Sequence, residues 1–106
     1  MLPLIPLITA AIGCFIITEV IRYVMLHWRE IVNWFQNWIN GHQSVDKDAV
    51  GFTVREAIKK GEYKVVQGVF NTSSGKVEDA RRIEAEDLDA ETRKQCFGKE
   101  KLIIFN

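Results

Sequence analysis

The chain has no surplus of charge. Fourteen Lys+Arg balance fourteen Asp+Glu, so the net basic field that draws proteins to nucleic acid is missing. Cysteine is scarce: Cys14 and Cys96 stand alone, without a C-x-x-C, which excludes a disulfide framework and a thiolate metal motif. The two histidines, His27 and His42, have no Cys or second His at metal-ligand spacing. Both prolines, Pro3 and Pro6, fall within the first turns of the chain, where a missing N–H costs a helix little. No G-x-x-x-x-G-K-[ST] phosphate loop occurs, and the acidic stretch Glu84–Glu91 lacks the alternation and central Gly of a calcium loop.

What is there is unevenly spread. The 106 residues are 47% hydrophobic and 26% charged, with a mean hydropathy of -0.05. Residues 1–45 nevertheless hold only four charged side chains (Glu19, Arg22, Arg29, Glu30), and residues 46–106 hold the other 24. An apolar half is joined to a highly charged half.

Leu2 to Thr18 is a seventeen-residue run without a charge. A membrane span needs about 20 mostly apolar residues, and extension to Leu26 supplies them. Residues 1–26 are therefore expected to be a retained transmembrane helix, with a buried core helix and a cleaved signal as the alternatives. Glu19 and Arg22 lie three apart, so they can pair near an interface. No Gly or Pro interrupts Val20–Asn40, so the helix is expected to run on through an amphipathic, Trp-rich extension, 27–43. A helix from Leu2 to Asn40 would be about 58 Å long at 1.5 Å per residue, against a hydrocarbon core of about 30 Å. Arg22 and Arg29 at the C-terminal flank predict that the remainder is cytoplasmic.

The extension carries the candidate site. At helical periodicity Ile21, Val24, Met25, Trp28, Ile31, Val32, Trp34, Phe35, Trp38 and Ile39 share one half of the cylinder. That stripe is read as a membrane or partner interface, covered by the bilayer, by copies of itself along a heptad-like seam, or by the second half of the chain. Arg22, Arg29, Lys59 and Lys60 are candidate headgroup contacts.

Residues 44–106 read as a small charged α+β domain of α-β-β-α-β order around a three-stranded sheet. Thr53-Val54-Arg55-Glu56 fits a capping box opening a helix Val54–Lys60. Tyr63–Asn71 and Lys76 to about Ala85 read as a hairpin around Thr72-Ser73-Ser74-Gly75, with Gly68 as a bulge position. Asp87 or Asp89 can cap a helix at about Ala90–Cys96, and KLIIFN ends the chain as a strand for the middle of the sheet or against a helix. The outline of an apolar helix with a small α+β head is that of type IV pilin-like subunits. The acid those proteins carry near the helix start is missing, with Glu19 far too late, so the chain is not placed among them.

Searching for chemistry yields little. Cys96 sits at a helix end in KQCFG and is read as structural; His27 borders the apolar stripe. The chain is expected to be a non-catalytic, single-pass, membrane-anchored interaction module without a cofactor. Membrane lipids, a protein and copies of itself are its expected partners, with no nucleic acid and no small-molecule substrate. The alternative is a membrane-active, toxin-like protein whose amphipathic helix oligomerises in the bilayer.

Overall fold

The computed structural model describes residues 4–41, 48–59, 62–98 and 102–105. Along the chain these form α1 (Leu4–Cys14), β1 (Val20–Leu26), α2 (Trp28–Gly41), β2 (Ala49–Lys59), β3 (Glu62–Asn71), β4 (Lys76–Leu88), α3 (Ala90–Cys96) and β5 (Leu102–Phe105). The five strands form one mixed sheet in the order β1-β4-β3-β2-β5, with β1 parallel to β4 and every other pair antiparallel.

The long helix is overturned. Helix α1 stops at Cys14, where the Phe15 N–H closes the last turn on the Ile12 carbonyl at 3.1 Å. The next twelve residues include six β-branched ones (Ile16, Ile17, Thr18, Val20, Ile21, Val24). Their stiff side chains disfavour helix and suit a pleated surface, and the long β4 offers a partner edge. Among the described residues no helix is long and apolar enough to cross a membrane. The single-pass span is thereby corrected, and the cytoplasmic side, which rested on that span, goes with it.

The second half is also redrawn. Thr53 and Val54 lie in β2, so the capping box does not form and the expected helix Val54–Lys60 is replaced by strand to Lys59. The segment alternates at period two: Val50, Phe52 and Val54 on one side, Gly51, Thr53 and Arg55 on the other. Lys60 and Gly61 lie outside the described residues, as do residues 44–47 of the expected linker. Strand β5 pairs with β2 alone and forms an edge, not the middle. The sheet thus has five strands, not three.

Side-chain alternation sends two hydrophobic clusters to opposite faces. One gathers Ile8 of α1 with Phe52, Val66, Phe70, Ala80 and Leu102; the other gathers Leu26, Ile31, Val65, Ile83, Ala85, Cys96 and Phe97. Layer α1 covers the first face, while α2 and α3 cover the second. Neither half of the sequence has a sheet of its own, since β1 is bonded to β4.

Gly68 is needed where it stands, though not as a bulge. The pairing shifts one residue on, where Val69 faces Asp79 and Phe70 faces Val77, leaving Glu78 as the extra residue on β4. A Cβ on Gly68 would lie 2.6 Å from the Phe52 ring and 2.7 Å from the Asp79 carbonyl oxygen. Gly68→Ala should therefore cost about 2 kcal/mol through overpacking against a fixed backbone, read as a lower urea midpoint at unchanged m-value.

Asp89 joins two helix starts. Its Oδ1 accepts the Thr92 N–H of α3 at 2.8 Å and its Oδ2 accepts the Trp28 N–H of α2 at 3.0 Å. Partial burial opposes ionisation of this carboxyl, but the Thr92 and Trp28 donors and the His27 imidazole, 3.6 Å away, outweigh it and hold its pKa below the ordinary 3.8. A carboxyl acidified by folding stabilises wherever it is ionised. That contribution is complete above 3.8 and disappears as pH falls through the lowered folded value. At neutral pH Asp89→Ala removes two caps at about 1 kcal/mol each. Its thermal midpoint should fall accordingly, and the gap to the wild type should narrow in strong acid.

Candidate functional site

Helix α2 starts at Trp28 because His27 follows a strand end and the Asp89 carboxylate accepts its first free N–H. Its apolar stripe is divided between two environments. Ile31 is fully buried in the core with Leu26, Val65 and Ile83. Trp28 and Phe35 lean on Phe105 of β5, with ring centroids 5.7 and 5.6 Å apart, and Trp34 meets Phe35 edge-on at 5.5 Å. The Phe35 ring lies so close over Gly51 that a Cβ there would sit 2.7 Å from it. A bare backbone on β2 lets the helix approach the sheet at this point.

Polar groups fix the same helix. Gln67 on β3 is fully buried; its Nε2 donates to the Ile31 carbonyl at 2.6 Å and its Oε1 accepts from Arg81 Nε at 2.9 Å. Arg81, itself buried, donates through Nη2 to the Glu30 carbonyl at 3.3 Å, and its guanidinium carbon lies 5.6 Å from the centre of the Trp34 ring.

Where α2 runs past the rim of β2 and β5 it leaves a cleft of about 250 Å³. The helix contributes Trp28, Val32, Phe35, Gln36, Trp38 and Ile39. The sheet contributes Ala49, Val50, Gly51 and Val69 from its inner strands and Phe105 from its edge. Among the described residues no charged side chain lines it, and Gln36 is the one polar side chain other than the indole N–H groups. Two wider depressions differ in character. One, of about 350 Å³, lies among Arg22, Glu62, Lys64, Glu84 and Glu86 at an end of the sheet; the other, of about 510 Å³, is a groove beside α1 that includes Cys14.

The expected interface residues are thus separated. Trp28, Val32, Phe35, Trp38 and Ile39 come together in the cleft, and Ile31 and Trp34 pack beneath and beside them. Ile21, Val24 and Met25 belong to β1 and are not on the helix at all. The seven-residue repeat that linked Ile21 to Trp28 and Val24 to Ile31 crosses a strand–helix boundary, so the heptad seam does not exist. Arg22 pairs with Glu84 at 3.5 Å and Arg29 with Glu30 at 3.8 Å. Lys59 ends β2, while Lys60 lies outside the described residues. Sequence reasoning missed Ala49, Val50, Gly51, Val69 and Phe105. The KLIIFN run signalled a strand, but nothing local told which strand it would join or that Phe105 would reach α2.

Chemistry of a catalytic kind has little to stand on here. Among the described residues no group of three or more His, Cys, Asp and Glu is placed to hold a metal ion. Burial pushes the Cys96 thiol up to about 11, with the facing Thr53 hydroxyl pulling slightly the other way. Cys14 is exposed. At pH 8 a thiol reagent should therefore titrate one equivalent in the native protein, lost in Cys14→Ser, and the second only after unfolding. No family model matches the chain, and neither a curated protein nor a solved structure matches it.

Proposed function

We propose that the protein is a non-catalytic interaction module that takes a bulky apolar side chain of a partner protein into the cleft between α2 and the β2/β5 rim. The observation that carries this reading is the cleft itself: aromatic on several sides, lined without charge, and still open beside a helix whose remaining stripe is packed away. Apolar pockets with few polar groups are the usual form of a recognition site, and indole and phenyl walls supply large contact areas at little entropic cost. Its volume suits one aromatic or branched side chain rather than an extended lipid, since a cavity of about 150 Å³ already admits benzene. The Gln36 amide offers a directional contact at the side. The membrane-active alternative needs an uncovered aromatic stripe, whereas Ile31 and Phe35 are held on the sheet.

Indole, as a stand-in for such a side chain, provides the test. In an NMR titration it should shift the amide signals of Val32, Phe35, Gly51 and Phe105 in a saturable manner. Val32→Trp, which fills the cleft from the helix side, should abolish those shifts while leaving the fold intact. Shifts scattered over the surface, or none at the cleft, would defeat the proposal.

A further inference from the structure

The two edges of the sheet are not equivalent. Strand β5 is four residues long, and its Phe105 ring is held beneath Trp28 and Phe35. Strand β1 is seven residues long and has no Pro, no Lys and no register shift against β4. It lacks most of the devices that keep a sheet edge from pairing with another chain. The Arg82 N–H donates to the Glu19 carbonyl at 3.0 Å, so Glu19 and Ile21 turn their main-chain groups toward β4. By alternation, Val20 and Arg22 present theirs to the outside. The side chains along this margin are uncovered: Val20 is 48% exposed and Val24 75%.

We infer that β1 is a homodimer interface, pairing antiparallel with β1 of a second copy about a two-fold axis at Ile21, to give a continuous ten-stranded sheet. The regular alternation of exposure over Val20–Tyr23 centres the pairing there. A two-fold normal to the sheet keeps the α1 layers of both copies on one side, as an isologous contact requires. Val20 and Arg22 of each copy then exchange main-chain hydrogen bonds with Arg22 and Val20 of the other, and Glu19 falls opposite Tyr23. The charges suit a copy of the same strand. Arg22, already neutralised by Glu84, faces Val20 rather than its own equivalent. Glu19, which has no ion-pair partner among the described residues, comes within one residue of the other copy's Arg22. Reversal of the strand sets an acidic end beside a basic end, twice. This interface is separate from the α2 cleft and stands or falls without it.

The register makes a charge test possible at an exposed position. Light scattering on an eluting sample should give twice the 12.2 kDa chain mass for the wild type. Val20→Lys sets an ammonium against Arg22 on each side of the axis, two like-charged pairs in all, and should weaken the dimer by roughly tenfold. Val20→Glu removes the same apolar group but places an acid opposite Arg22, and should dimerise at least as tightly as the wild type. Circular dichroism should show all three folded alike. A wild type that stays monomeric from micromolar to millimolar concentration would overturn the inference, as would Lys and Glu variants that assemble equally or fail equally.

Discussion

A buried amide sets the geometry on which the rest of the molecule depends. Hydrophobic burial between α2 and the sheet is non-directional and would tolerate several rotations and slides of the helix. Gln67 does not tolerate them. Its donor and acceptor are both removed from water, and leaving either unsatisfied costs about 1–3 kcal/mol. With the Ile31 carbonyl on one side and Arg81 on the other, helix, β3 and β4 are held in one relation. Arg81 adds the Glu30 carbonyl and the face of Trp34. The cleft between Phe35, Trp38 and Phe105 exists because this clamp stops the helix from settling flat on the rim.

The uneven charge distribution follows from the layers. Residues up to Gly41 supply α1, β1 and α2, the covers of both faces and one edge, and covers meet a sheet that is apolar on each side. The charged residues after position 45 occupy strand ends, the hairpin and α3, together with the uncovered end of the first face. There Arg82 and Glu56 form a two-pronged ion pair at 2.7 and 3.2 Å. A membrane span and a double-faced cover layer demand similar compositions, and only the spacing of β-branched residues separates them.

Elements decided by near neighbours were legible in the sequence. The strand over Tyr63–Asn71, the turn at Thr72–Gly75, the returning strand, the Asp89 cap and the short helix Ala90–Cys96 all depend on residues a few positions away. The elements that were not legible share a cause. Val20–Leu26 is amphipathic at helical as well as strand spacing, and only the presence of β4 sixty residues later decides the matter. Thr53-Val54-Arg55-Glu56 satisfies a capping pattern but lies between two strands that need it extended. The aromatic members of the cleft on α2 were visible as a stripe. Gly51 and Phe105 were not, because a bare backbone and a distant ring become neighbours only through sheet register.

The order of the strands also governs how the protein is born. Strand β1 is made early yet bonds only to β4, the first N–H of α2 waits for Asp89, and the Trp28 and Phe35 rings wait for Phe105. Emerging from the ribosome, the indole-bearing segment therefore has no native neighbour until nearly all of these strands have followed it, and long-range pairing of this kind is slow to form. Folding must be a late, collective event, and during synthesis the nascent chain is a natural client for factors that shield greasy segments from one another.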